Sequence, residues 1–310
     1  MGTILYTHAD CFGHDPGRMH PEHPARLKAV LTALSADEFN GLDRREAPKA
    51  TVDQIAKAHP RDYVDAILEA VPETGERSID GDTIMSPGTG DAILRCAGAV
   101  CAAVDAVLGG EAENAFCAMR PPGHHAEPRT PMGFCFFNQI AVGAEHARAA
   151  HGLRRVAIVD FDVHHGNGTQ AIFEADGGVF YASTHQAPLF PGTGHQSERG
   201  VGNIVNVPLP PMSGSEQFRA AITEIIAPAL IDFQPELLMI SAGFDAHIDD
   251  PLASLCLTEE DFTWATEELM RLADLVCDGK IVSTLEGGYD LDALAVSTAA
   301  HVRTLMTAAG

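Results

Sequence analysis

The chain has 310 residues, 45% of them hydrophobic, and its 43 acidic side chains against 20 basic ones give a formal net charge of -23. This much apolar side chain supports a sizeable core and excludes a largely disordered protein. The negative charge argues against direct binding to nucleic acid and suits cationic substrates, although it also serves simply to keep a protein in solution.

Seven short apolar runs of β-rich composition are predicted as buried strands. In chain order they cover residues 4–7, 115–119, 156–159, 179–183, 204–207, 237–241 and 281–285. Helices are predicted between them at 91–108, 215–231 and 258–276, the last with carboxylates in its first turn. This alternation predicts an α/β fold, a parallel sheet with helices on both faces.

No linker, repeat or low-complexity tract divides the chain, so we expect a single domain over residues 1–310. The Gly-rich stretch 71–90 is predicted to be a long irregular connection that helps form the rim of a site, and we expect 127–132 to lie at the same rim.

The seven cysteines are odd in number and none form a C-x-x-C pair. This usage is typical of a reduced, intracellular protein. No basic segment followed by a long apolar one opens the chain, and no apolar run reaches the roughly 18 residues of a membrane span. We therefore expect a cytoplasmic protein with no membrane partner.

Polar side chains follow four of the predicted strands, at the point where each strand ends. They are His124 and His125, then Asp160, Asp162 and His164, then Asp245, and finally Glu286 and Tyr289. Because parallel sheets bind ligands where the carboxyl ends of their strands meet, these residues predict one shared site.

Asp162 and His164 are two residues apart at a strand end, so both side chains can point the same way. With Asp245 they offer three ligands and leave room for water, which suits a catalytic divalent metal and hydrolysis. Taken alone, the same pair fits a helix cap at Asp162 and a core histidine at His164. The neighbouring segments favour the metal.

His124 and His125 follow Pro-Pro-Gly and are predicted to lie on a loop, where an imidazole near the metal serves as general base and acid. The alternative is a surface or core histidine pair. Tyr289 lies in E-G-G-Y, where its hydroxyl suits a developing oxyanion, although such a sequence is often only a turn.

Seven motifs together closely resemble the histone deacetylase superfamily, which includes bacterial amidohydrolases and acetylpolyamine amidohydrolases. They span nearly the whole chain in order, in the style of the class II branch: HPEHPARL (20–27), RPPGHHA (120–126), GFCFFN (133–138), VDFDVHHGNGTQ (159–170), PGTG (191–194), SAGFDAH (241–247) and LEGGY (285–289). The resemblance implies the arginase/deacetylase fold, one α/β domain around a mainly parallel sheet.

The resemblance also implies roles for individual residues. Zinc would be held by Asp162, His164 and Asp245. His124 and His125 would be the tandem histidines, with Asp160 and Asn167 as their partners, and Tyr289 would polarise the scissile carbonyl.

Further roles that the resemblance implies concern bound cations and substrate. A structural potassium would involve Asp160, Asp162, His164, Ser183 and Thr184, and a second one would lie near Phe173 and Val179. An acyl-lysine tunnel would have Phe134 and Phe190 as walls, flanked by Gly133 and Gly287. Arg26 and Cys135 would lie near a channel for the released acid.

Asn167 is a local difference, because class I relatives place aspartate at this position. We expect His124, paired with Asp160, to be more readily cationic. His125, paired with a neutral amide, would remain available as base and then acid. Because this chain has a tyrosine, Tyr289, at the position of the carbonyl-polarising residue, an active enzyme is favoured.

The sequence therefore predicts a zinc-dependent deacylase acting on acetyl-lysine-like or other N-acyl amine substrates, with an acetylpolyamine or small xenobiotic amide hydrolase as the alternative. A non-catalytic acyl-lysine binding protein is a second hypothesis. An arginase-like dimanganese hydrolase is disfavoured, since the additional paired aspartates are missing. The donor set tolerates zinc, iron or cobalt, and a homo-oligomer is compatible with the sequence.

Overall fold

A computed structural model describes residues 2–309 of the chain. Its strands, in chain order, are β1 (Thr3–Thr7), β2 (Asp43–Glu46), β3 (Arg77–Ser78), β4 (Ile84–Met85), β5 (Asn114–Cys117), β6 (Val156–Asp160), β7 (Val179–Gln186), β8 (Ile204–Leu209), β9 (Leu237–Ala242) and β10 (Ile281–Leu285). The α-helices are α1 (Ala25–Ala33), α2 (Val52–Ile55), α3 (Arg61–Glu69), α4 (Thr89–Leu108), α5 (Gln139–His151), α6 (Asn167–Phe173), α7 (Ser215–Ala220), α8 (Ala227–Phe233), α9 (Glu259–Cys277) and α10 (Leu291–Leu305).

Eight strands form one parallel sheet in the order β2-β1-β5-β10-β9-β6-β7-β8. Every residue of β5, β6, β9 and β10 is buried. Strands buried on both faces read as continuous apolar runs, which is why the seven predicted strands are confirmed. Helices flank the sheet, with α4 packed against α5 and α9 against α10.

The predicted helix at 215–231 is interrupted. The structure has α7, then a π-helical segment at Ala221–Ile226, then α8. Pro228 has no N–H to donate to the carbonyl four residues earlier, so a regular α-helical ladder cannot run through this point. The predictions at 91–108 and 258–276 are confirmed by α4 and α9.

The stretch 71–90 is more regular than predicted. Strands β3 and β4 pair antiparallel within it, and α4 begins at Thr89. Asp80 stabilises the turn between the two strands, because its Oδ1 accepts hydrogen bonds from the backbone N–H groups of Asp82 and Thr83. The segment therefore contains an antiparallel hairpin and is not irregular throughout.

Across residues 2–309, no helix is long and apolar enough to cross a membrane. All seven cysteines are free thiols, and six of them are buried.

Candidate active site

The predicted site residues converge because β5, β10, β9 and β6 are neighbours in the sheet. Asp160 is the last residue of β6 and pairs in register with Ser241 of β9 and Ser183 of β7. The loops that leave these strands carry the remaining polar side chains to the same edge.

Asp162, His164 and Asp245 form a tight, buried cluster. Nδ1 of His164 lies 3.1 Å from Oδ1 of Asp162 and 3.1 Å from Oδ2 of Asp245. The backbone fixes the other carboxylate oxygens, since the N–H of Gly287 donates to Oδ2 of Asp162 and the N–H of Val163 donates to Oδ1 of Asp245. One potential ligand atom of each residue is thus held within 4.8 Å of the others.

This cluster fits a divalent cation. Burial, and then the charge of Asp162, raise the pKa of Asp245 to about 7. Burial alone would lower the pKa of His164, but hydrogen bonds to Asp162 and Asp245 outweigh it and raise the pKa to about 10. Two buried carboxylates thus require positive charge between them, and two oxygens with one imidazole nitrogen are a donor set that zinc accepts.

The tandem histidines have different partners. Nδ1 of His124 lies 3.0 Å from Oδ2 of Asp160, which also accepts a hydrogen bond from the hydroxyl of Tyr181. Nδ1 of His125 lies 2.8 Å from Oδ1 of Asn167. The predicted pairing of the two histidines is therefore the pairing that the structure has.

These partners separate the two imidazoles electrostatically. Burial alone would lower the pKa of His124, but the carboxylates of Asp162 and Asp160 raise it to about 10. The pKa of His125 lies well below its usual range, because of burial first and then the charges of His124 and His164. These surroundings therefore favour the cationic form of His124 and the neutral form of His125.

A cavity of about 250 Å³ opens over the cluster. Phe134 and Phe190 form its aromatic walls. The ring of Phe134 lies 5.8 Å from that of Tyr289, and the ring of Phe190 lies 5.1 Å from that of His125. The lining residues are Asp82, His125, Gly133, Phe134, His164, Leu189, Phe190, Leu252 and Tyr289.

Two glycines are required by close approach. A Cβ on Gly133, where φ is +56°, would lie 2.5 Å from Cδ2 of His125. A Cβ on Gly287 would lie 2.2 Å from Oδ2 of Asp245. Gly133 therefore lets the cavity wall close on the imidazole, and Gly287 lets its N–H reach the carboxylate of Asp162.

Arg26 lies behind the cavity, with its guanidinium 4.8 Å from the centre of the Tyr289 ring. It donates to the carbonyls of Gly288 and Glu286 and pairs with Glu22. Cys135 is nearby, buried, and its thiol donates to the carbonyl of Gly133. Burial raises the pKa of this thiol well above its usual value.

The residues predicted to bind potassium are close together, since Ser183 is the register partner of Asp160 and Thr184 follows it in β7. At the second predicted position, the carbonyls of Phe173 and Val179 accept hydrogen bonds from the amide of Asn203 at 2.8 and 2.7 Å. Both potassium sites stay predictions.

Several site residues were not singled out from the sequence. Glu22 and Arg120 form a buried ion pair at 2.5 Å, and each lies inside a recognised motif. Glu286, by contrast, was expected at the site, and its carboxylate accepts hydrogen bonds from the backbone N–H groups of Gly123 and His124 and from the hydroxyl of Ser241. Asp82 and Leu252 line the cavity, and Asp82 lies in the stretch 71–90 that was expected at the rim.

Residues 20–305 match the family described as Histone deacetylase domain. The chain is 41% identical to a histone deacetylase-like amidohydrolase of Pseudomonas aeruginosa, over 87% of this chain and 71% of that protein. It is 35% identical to polyamine deacetylase HDAC10 of Homo sapiens, over 99% of this chain and 48% of that protein. The solved HDA15 HD domain superposes with a TM-score of 0.94 at 33% identity, covering 99% of this chain and 88% of that one.

Proposed function

Since this chain belongs to the histone deacetylase family and is an amidohydrolase of the deacetylase type, we propose that it uses zinc to hydrolyse the amide of N-acetylated cationic amines. The observation that carries the proposal is the buried cluster of Asp162, His164 and Asp245 at the base of a cavity that also presents His125 and Tyr289. We further propose that residues 1–310 form one catalytic domain and that it works in the cytoplasm, with structural potassium as expected from the sequence.

Zinc, when bound by Asp162, His164 and Asp245, supplies a Lewis acid that polarises the scissile carbonyl and lowers the pKa of water. The protein supplies the proton transfers. Because Nδ1 of His125 donates to Asn167, its Nε2 carries the lone pair and takes a proton from the attacking water. The same atom then protonates the departing amine.

Tyr289 stabilises the oxyanion that develops on the substrate. Burial raises the pKa of its hydroxyl well above the usual value, so it remains a hydrogen-bond donor at neutral pH. Its ring packs against Phe134 and the guanidinium of Arg26, which limits the directions in which the hydroxyl can point. A donor aimed in advance needs no reorganisation as charge develops.

The cavity suggests the substrate class. Phe134, Phe190 and Leu252 present apolar walls that suit an uncharged acyl-amine stem, and Asp82 adds one carboxylate to the lining. With a net charge of -23, the protein attracts cationic substrates. Acetyl-lysine in proteins and acetylpolyamines both match this pattern, and the polyamine alternative is favoured by the relative named a polyamine deacetylase.

The proposal is tested by assaying metal-free and metal-reconstituted protein on an acetyl-lysine peptide, acetylputrescine, acetylspermidine and neutral alkyl amides. We expect chelation to abolish turnover and zinc to restore it, with higher kcat/KM for the cationic substrates. The Asp245→Ala variant is the matched control, because it removes a ligand and should stay inactive after zinc is added. Peptide binding without turnover would instead identify an acyl-lysine binding protein.

A further inference from the structure

A second cluster of metal-ligand side chains lies outside the active site. It comprises Asp105 of α4 with His146 and His151 of α5. Nε2 of His146 lies 2.8 Å from Oδ1 of Asp105, and Nε2 of His151 lies 2.7 Å from the same oxygen. Two imidazoles from one helix thus face one carboxylate oxygen of its neighbour.

We propose that this cluster binds a second zinc-class divalent ion that clamps α4 to α5. One donor atom of each residue lies within 4.8 Å of the others. Tetrahedral zinc with bonds of about 2.0–2.1 Å needs donor atoms about 3.3 Å apart, so each imidazole nitrogen would have to move away from the Asp105 oxygen by only about half an ångström. Two imidazoles and one carboxylate are ligands that zinc, cobalt and nickel share.

The burial of the three side chains suits an accessible but ordered site. The side chains of His146 and His151 are 11% and 25% exposed, so little freedom is lost when they bind. The side chain of Asp105 is 53% exposed, which leaves an entry path and a fourth position for water. The two helices also pack closely along their length, so the ligands stand on rigid elements.

The cluster is remote from the catalytic residues. Helix α5 begins beside the active site, where its capping residue Asn138 donates from Nδ2 to the hydroxyl of Thr169. His151 ends the same helix, and a helix of this length spans about 20 Å. An ion here would therefore be structural and would neither replace nor pair with the catalytic ion.

The simpler alternative is a trio joined only by hydrogen bonds, in which each imidazole donates from Nε2 to Asp105. The His146→Gln/His151→Gln double variant separates the two, because a glutamine N–H can occupy the position of Nε2 and donate to Asp105. A glutamine amide nitrogen has no lone pair for a metal. The variant thus keeps the hydrogen bonds and removes two ligands.

The test is the zinc content per chain of the wild type and of this variant, measured after dialysis against a buffer of fixed free zinc. We expect the wild type to hold one more zinc per chain than the variant. We also expect added zinc to raise the Tm of the wild type by more than it raises the Tm of the variant. Equal zinc contents and equal Tm shifts would overturn the proposal. The difference is informative whether or not the catalytic site is loaded, so it is independent of the proposed function.

Two further variants serve as a control and as an independent test. His195→Gln changes an exposed histidine whose Nδ1 contacts Oγ of Ser197 and accepts from its backbone N–H, and it should keep the wild-type zinc content. Asp105→Asn is the second variant should the double substitution fail to fold, and it should also lose one zinc. Its retention of the full wild-type content would contradict the proposal.

Discussion

Nδ1 of His125 donates to Oδ1 of Asn167 at 2.8 Å, and Nδ2 of Asn167 donates in turn to Oε1 of Glu127 at 2.9 Å. This chain of donors fixes both the orientation of the amide and the tautomer of the imidazole. Because the partner of His125 is uncharged, its hydrogen bond raises the pKa of His125 too little to offset burial and the charges of His124 and His164. His124 differs in facing the carboxylate of Asp160.

The Asn167→Asp variant should move the acidic limb of the kcat/KM profile to higher pH. A carboxylate at Nδ1 favours the cationic imidazole, so the pKa of His125 should rise by about one unit or more and the base should be lost at a higher pH. The measurement is kcat/KM from pH 5 to 9. An unmoved acidic limb would contradict the assignment of His125 as base.

A matched double variant isolates the charge effect. In Asn167→Asp the new oxygen meets Oε1 of Glu127 at the position where an N–H donated before. Adding Glu127→Gln restores a donor to that contact. We expect the double variant to keep its acidic limb at the higher pH. It should also recover the folding stability that repulsion between the two carboxylates removes from Asn167→Asp.

The Tyr289→Phe variant should lose kcat by about 10²- to 10³-fold, the effect of removing one donor to an oxyanion. KM should change little, because the phenyl ring still packs against Phe134 and Arg26. Steady-state kinetics and metal content are measured together. A kcat close to that of the wild type at full metal content would exclude Tyr289 from oxyanion stabilisation.

The Glu22→Gln variant should lower the free energy of unfolding at pH 7 by about 3–5 kcal/mol, because it leaves buried guanidinium groups without their counter-ion. Burial would raise the pKa of Glu22, but the charge of Arg120 and the contact with His14 hold it far below its usual range. A depressed pKa contributes stability above the unfolded value of about 4.3, and this stability is lost as pH falls further.

Unfolding by guanidinium chloride, measured from pH 7 down to pH 3, tests this account. The difference in the free energy of unfolding between the wild type and Glu22→Gln should become smaller below about pH 4. Glu38→Gln is the control, since Glu38 also pairs with an arginine, Arg303, but at the surface. A loss of stability in the control as large as in Glu22→Gln would refute the role of burial.

The sequence predicts the centre of the molecule better than its edges. Strands β6, β9 and β10 are buried on both faces and read as apolar runs. Strand β2 has the sequence DRRE and is largely exposed at the edge of the sheet, so it has no apolar pattern that would predict a strand. The interruption of the helix at 215–231 depends on backbone geometry around one proline and was missed for that reason.

The residues of the site also differ in how far the sequence predicts them. Asp162, His164 and Asp245 are predictable because they follow buried strands whose ends must meet. The partnership of Glu22 with Arg120 joins residues 98 apart in sequence, and only the folded chain reveals it. The pairing of His125 with Asn167 was predicted from the resemblance, whereas the link from Asn167 to Glu127 required the structure.

Asp82 is expected to select substrates by charge. It lines the cavity, and it is held in place because its carbonyl accepts from Nε2 of His20 and its carboxylate accepts from the hydroxyl of Thr83. The Asp82→Asn variant should therefore lower kcat/KM for acetylspermidine, which keeps distant ammonium groups, by about two- to fivefold, the range of a partly exposed ion pair. A neutral acetylated alkylamine should be hydrolysed as before.

Salt and a carboxylate outside the cavity provide the controls for this prediction. Raising the ionic strength should shrink the wild-type preference for acetylspermidine towards that of the variant, since salt screens exposed charges. Asp249→Asn removes an equal charge from a residue that is 72% exposed and does not line the cavity, so its selectivity should be unchanged. Equal slowing of charged and neutral substrates by Asp82→Asn would mean that Asp82 maintains the shape of the turn between β3 and β4. The preference for charged substrates would then have to arise from the electrostatic field of the whole protein.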